Sequence, residues 1–399
     1  MRKAHVQLLA HVDPGGGYTA DVAALKDYAY LSSWHGDRCP SQGVRVYNLH
    51  DPRHPTQVSA FADAAGEPAV AGSWTEKTIV RHVRTASFTG DLAVTTFQTC
   101  KPGSSAFHGF GLYDVTNPAQ PRRLALVPLT PRGSHEIWLA AARRHAWVYT
   151  AIPNSELVGS PNYNPNTGQA STPGPPDFRI FDVSDPRNPT QVGGWGAWKQ
   201  LGIRPSAGRG HFPANFVHSV MTNAQATRAF LSYWDLGTVI LDISRPSQPR
   251  YLGRTPISDE EGDAHSAWLA DGGKVLIETH ENSVGRPFFY DISNSRKPRL
   301  ITRFGPVDAK ATSFESGVHD PKVLGKRAYF SWYTRGVLIA DISNARRPRL
   351  VGRLLPRPEQ DTYGQLCPSS CRLTWGVFPT KKYVLAADII SGLWVYRVS

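Results

Sequence analysis

An all-β fold, a seven-bladed β-propeller of four-stranded blades, is predicted by three observations. One two-strand unit recurs along the chain, a further strand pair precedes each copy, and the two ends of the sequence complement each other as parts of one blade. The recurring unit reads GVRVYNLHDPRHPTQV from Gly43, GFGLYDVTNPAQPRRL from Gly109 and FRIFDVSDPRNPTQV from Phe178. It returns as GTVILDISRPSQPRYL from Gly237, PFFYDISNSRKPRLI from Pro287 and GVLIADISNARRPRLV from Gly336. A last copy, GLWVYRVS from Gly392, stops before its turn. Each copy carries the alternation of a half-buried strand, an Asp-Ile/Val-Ser/Thr-Asx turn closed by Pro, and a second strand. The preceding strand pairs are seen in DVAALKDYAYLSS from Asp21, SAWLADGGKVLIET from Ser266 and KVLGKRAYFSWY from Lys322. The segment His5 to Val12, HVQLLAHV, matches the fourth-strand pattern PRLVGRL. It is expected to complete the blade whose other strands lie in 374–399, so that residues 1–399 form one domain with 1–12 as its closing strand.

Composition agrees with this reading. At roughly 150 residues per domain, 399 residues suggest two or three domains, but propellers grow by repetition. With 35 glycines and 32 prolines the chain is too poor in both for disorder, and 40% hydrophobic residues suffice for a core. No apolar run is long enough for a transmembrane helix, so no membrane span is expected. The net charge of +12 invites a nucleic-acid partner. Many of the arginines, however, fall at equivalent turn positions (Arg53, Arg187, Arg245, Arg296, Arg346, Arg347) with no aromatics interleaved. They read as a solvated basic rim, and no nucleic-acid partner is expected.

The strands VILDIS and VLIADIS resemble those of the LVIVD repeat family, and the resemblance extends over the whole chain. It implies a propeller and little about chemistry, because function resides in sites grafted onto folds.

In such a fold the starts of the innermost strands and the ends of the second strands share one face, here called upper. The long loops (Trp34 to Gln42, Thr99 to His108, Pro153 to Asp177, Gly194 to Phe216, Gly305 to Gly317, Pro356 to Arg372) all fall there, which marks it as the working face. Aligning the inner strands places His82, His135, His218, His265 and His319 at one level of the channel mouth. Converging neutral imidazoles suit a divalent transition metal, with copper or iron first and manganese, zinc or nickel as alternatives. A structural ring of hydrogen bonds is the competing reading. Glu136 and Asp320, each directly after a histidine, are expected to orient imidazoles, and His35, His280 and Glu281 to serve as catalytic groups at second-strand ends. Trp34, Trp138, Trp234, Trp268, Trp332, Tyr333 and Trp375 are candidates for an apolar or carbohydrate cleft.

Cys39 and Cys100 fall in matching loops of adjacent repeats, and Cys367 and Cys371 are separated by three residues. Two disulfides and an oxidising compartment, secreted, periplasmic or cell-surface, are expected. The start Met1-Arg2-Lys3-Ala4-His5 has no apolar core for export, and a signal peptide is expected to have been removed. These features favour an exported metal-dependent oxidoreductase, oxidase or oxygenase, acting as a monomer on a small or extended substrate. The alternatives are a metal-dependent lyase or hydrolase, or a non-enzymatic binding propeller with a structural histidine ring.

Overall fold

The computed structural model describes residues 3–34, 39, 41–101, 103–208, 213–256, 262–282, 284–306 and 316–399. These form seven antiparallel sheets around one axis. The innermost strands of blades one to seven are Thr19–Leu25, Thr78–Arg84, Glu136–Ala142, Ser219–Thr222, Ala264–Ala270, Asp320–Leu324 and Thr374–Pro379. The closing strand Val6–Val12 lies on the outer edge of blade seven, antiparallel to Gly392–Val398, as the sequence predicts. Among the described residues no helix is long and apolar enough to cross a membrane.

The repeat has a local cause. In blades two to six the Asp that ends the third strand accepts the amide of the residue two further on: Thr116 on Asp114, Ser184 on Asp182, Ser244 on Asp242, Ser293 on Asp291 and Ser343 on Asp341, all at 2.8–3.0 Å, and in blade one Asn48 does the same for His50 at 2.9 Å. An Asx side chain that replaces a backbone acceptor fixes the turn, so the motif is read by the backbone itself. A bulge follows in the third–fourth strand pair of each blade, for instance at Ile180/Phe181, Ile240/Leu241 and Ile339/Ala340. Bulges add twist, which the tightly wound outer strands need.

The inner strands converge on a layer of buried charge that closes the channel part-way along. Lys77 Nζ from blade two sits 2.8 Å from Asp21 of blade one, 3.3 Å from Glu136 of blade three and 3.0 Å from Asp320 of blade six. Lys322 also pairs with Asp320. Blade seven contributes Gly376 here, where any Cβ would collide with the carboxylate and backbone of Asp21. Burial works against the ammonium of Lys77, yet the Asp21, Asp320 and Glu136 carboxylates overcome it and hold its pKa well above the usual lysine range. Burial, reinforced by Glu76, Asp320 and Asp21 and opposed by Lys77, pushes Glu136 up to about 8. At neutral pH the layer therefore balances two ammonium groups against the carboxylates of Asp21 and Asp320, with Glu136 largely protonated. Glu136 and Asp320 were expected to orient imidazoles; instead they point below the histidine level, where Lys77 claims them.

Lys77→Met strands these carboxylates without a counter-charge and is expected to cost about 3–5 kcal/mol in chemical denaturation at neutral pH. Glu136 binds its proton more tightly folded than unfolded, so it favours the unfolded state increasingly as pH rises from 4.5 towards 8. Glu136→Gln, a neutral isostere, is accordingly expected to match the parent protein near the low end of that window. It should gain on the parent by at most about 1.4 kcal/mol per pH unit above it, read from denaturation midpoints across pH.

Candidate metal centre

Immediately above the charged layer, the inner-strand starts present Ala20, Glu76, His135, His218, His265, His319 and Trp375. Inter-blade hydrogen bonds fix this equivalence. Ser219 Oγ donates to the His265 carbonyl at 2.7 Å, Ser266 Oγ to the His319 carbonyl at 2.6 Å, and the Asp21 amide to the Glu76 carbonyl at 3.3 Å. In each case a group of the lower layer in one blade holds the upper-layer backbone of the next.

Four histidines therefore share the mouth, in contact as neighbours. His135 Nε2 lies 2.8 Å from His218 Nε2, the His218 and His265 ring centroids are 4.0 Å apart, and those of His265 and His319 are 4.4 Å apart. The fifth histidine is a correction. His82 lies near the lower end of its strand, opposite Asp91, with Nδ1 2.8 Å from that carboxylate and the side chain 57% exposed. The level assigned to it belongs to Glu76. The strand Thr78–Arg84 runs down the channel wall, so Glu76, two residues before its start, and not the fifth residue of the strand, reaches the upper mouth. The Glu76-Lys77 pair ahead of that apolar run was the available signal.

Protons in the cluster are set by neighbours. His135 Nδ1 stands 2.6 Å from Glu76 Oε2 and 2.9 Å from Gln98 Oε1, and so carries a proton. Burial opposes a charge on His135, but the Glu76 carboxylate outweighs it and raises its pKa. For His218, His265 and His319, burial and the surrounding cations and imidazoles drive the pKa well below the usual histidine range. Those three rings are neutral at physiological pH. His135 Nε2 and His218 Nε2 stand within hydrogen-bond distance, and the tautomers of the two rings set which of them donates. His265 donates Nδ1–H to the His319 carbonyl at 2.7 Å, which leaves its Nε2 as a bare lone pair. That lone pair faces Glu281 Oε2 at 3.4 Å, while Tyr333 donates its hydroxyl to Glu281 Oε1. Burial and Glu76, opposed by the Tyr333 hydrogen bond, push Glu281 up to about 7. Donor atoms of His218, His265 and Glu281 all lie within 4.8 Å of one another.

Aromatic rings wall this cluster. Trp234 stacks on His218 at 5.3 Å, Trp375 lies 4.5 Å from His319, Tyr333 meets His319 edge-on at 5.5 Å, and Trp74 approaches His135 edge-on at 6.4 Å. Trp34 packs on Trp375 at 5.8 Å. The remaining expected cleft residues lie elsewhere. Trp332 is fully buried in the core, its Nε1 donating to the Ser316 carbonyl at 2.7 Å. Trp138 and Trp268 project into the channel below the charged layer, because each sits two positions further down its inner strand than the residue of that layer. His280 is likewise a correction. It is fully buried between the Gly262 carbonyl and Glu278 Oε1, both at 3.0 Å, and packs on Phe288, so it anchors a strand end instead of facing the axis. His35 lies outside the described residues. Both disulfides form as paired, Cys39–Cys100 bridging the upper loops of blades one and two and Cys367–Cys371 closing a turn, with Cα separations of 5.8 and 6.2 Å.

The model of the LVIVD repeat matches residues 229–255 and 318–355, which fall in blades four and six. No curated protein matches the chain. Among solved structures, the crystal structure of Chaetomium thermophilum Raptor superposes with a TM-score of 0.62 at 11% identity. The match covers 100% of this chain and 30% of that one, and it concerns fold alone. The chain is a seven-bladed β-propeller that carries LVIVD repeats.

Proposed function

We propose that the upper mouth holds a redox-active transition metal on His218, His265 and Glu281, and that the protein is a metal-dependent oxidoreductase acting on a small organic substrate with dioxygen. The observation that carries this reading is the donor set: two neutral imidazoles and one carboxylate converging from inner and second strands. Two histidines and one carboxylate on one side of an ion are the donor set of non-haem iron(II) oxygenases, which keep the remaining positions open. That favours iron among the transition metals that the expected all-imidazole site left open. The bound ion would supply dioxygen activation. The chain supplies the rest: Glu76 keeps a proton on His135 beside the ligands, Tyr333 orients Glu281, and the aromatic wall excludes water.

A second reading has support from the inter-blade bonds. The His319 carbonyl accepts from His265 Nδ1, Ser266 Oγ and Thr279 Oγ1, so the ring also stitches blades together. Metal analysis separates the two. After anaerobic loading with iron(II) and gel filtration, roughly one equivalent is expected to remain, falling at least tenfold in His218→Ala, His265→Ala and Glu281→Gln and unchanged in His82→Ala. Nitric oxide added to the iron(II) protein should give the paramagnetic signal of an iron with an open position. Loss of all metal from correctly folded parent protein, or equal retention by the three ligand variants, would leave the histidines as a structural ring.

A further inference from the structure

Below the charged layer the channel opens into a second chamber of about 530 Å³ that takes no part in the site above. The volume falls within the range of sites for small organic ligands. Its wall is divided by chemistry. Going round the axis from blade two to blade six, it presents Arg81, Trp138, Thr222, Trp268 and Lys322 in turn. The guanidinium of Arg81 lies 4.7 Å from the Trp138 ring centroid, and Lys322 Nζ lies 4.7 Å from that of Trp268. The two indoles meet edge to face at 5.6 Å, and Trp138 Nε1 donates to Thr222 Oγ1 at 3.1 Å, which fixes its ring. The opposite arc, from blades seven and one, is apolar along Phe378, Pro379, Val22 and Ala24, with Asp21 of the charged layer, already paired with Lys77, at its inner end.

The two cations differ in their partners. Lys322 is neutralised by Asp320. Arg81 has no ion pair among the described residues, and its Nε is buried without a hydrogen-bond partner. Burial alone acts on its pKa, lowering it, with no carboxylate to restore it. Among the described residues the chamber therefore holds one cation, Arg81, without an ion-pair partner. A half-buried guanidinium with a buried, unpartnered Nε costs folding free energy unless an anion meets it, and one aromatic face offsets only part of that cost. The fork of an arginine is shaped for a carboxylate or a comparable planar anion.

From the unpaired Arg81, the rigid indole pair and the apolar arc opposite, we infer that this chamber is a binding site for a small organic anion with a flat apolar body, its carboxylate on Arg81 and its body between the indoles and the blade-seven and blade-one wall. The chamber opens on the lower face, and the Asp21–Lys77–Glu136–Asp320 layer separates it from the histidines. The site therefore stands or falls independently of the metal.

Calorimetric titration of the full chain with 2-naphthoate tests it, with 2-naphthalenemethanol as the neutral counterpart and quenching of indole fluorescence as a second readout. The carboxylate is expected to saturate at one molecule per chain, and the alcohol to bind roughly tenfold more weakly or worse. Arg81→Met should lose roughly tenfold in naphthoate affinity while the unliganded variant melts no lower than the parent, because the substitution removes a cation that nothing pairs. Trp268→Leu should weaken both probes together, and His218→Ala should change neither. Equal affinity for acid and alcohol, undiminished binding by folded Arg81→Met, or no saturable binding to the parent protein would each overturn the inference.

Discussion

Lys77 is the one side chain on which the geometry of the channel depends. Its ammonium draws carboxylates from blades one, three and six to a single point on the axis. Propeller blades touch mainly through apolar faces, and such contacts tolerate small rotations because the hydrophobic effect has no direction. Hydrogen bonds from one ammonium to groups of three blades have direction and a short range. They fix the depth at which inner strands start, and with it the height of every residue above and below. The protonation of Glu136 completes the arrangement, since a third carboxylate ion in this layer would exceed what two ammonium groups balance.

Above this layer, residue order along each strand becomes arrangement around the axis. Four consecutive blades start with histidine, and neighbouring strands bring the rings within contact distance. Crowding and burial keep three of them uncharged, and that is the state in which imidazole offers a lone pair. Glu281 arrives from a different strand and supplies the carboxylate. Below the layer the same strands carry indoles and cations. One fold thus presents two chemically distinct levels, a histidine cluster above and a chamber of indoles and cations below, with the buried ion cluster between them.

Much of this was legible in the sequence, and the reasons are physical. The Asp-Ile-Ser turns are written in local hydrogen bonds, so a repeat seen in letters is a repeat in structure. The histidines of blades three to six stand at strand starts in equivalent local contexts, and their convergence followed once the repeat was recognised. Blade two failed because His82 also sits in an apolar alternation, and alternation gives a face without giving a height. Only the inter-blade bond from the Asp21 amide to Glu76 settles the level. Trp138 and Trp268 were misplaced for the same reason, two residues along a strand being enough to cross the charged layer. Glu136 and Asp320 were correctly seen beside histidines, but a neighbour in sequence on a strand is a neighbour on another level. The lysine that binds them comes from a different blade, out of reach of any local pattern.

The closure of blade seven sets how the ring responds to force. Val6 pairs with Val398 and Val12 with Leu393, so the chain enters and leaves the closing pair at the same end. Tension applied between the two ends of this strand pair is carried by the terminal hydrogen bonds first, those between His5 and Ser399. The pair then peels open one rung at a time and never shears as a block. Along this one line the ring is therefore mechanically weak. Force that separates the two strands at that end breaks the seam of blade seven before it loads the apolar contacts between blades.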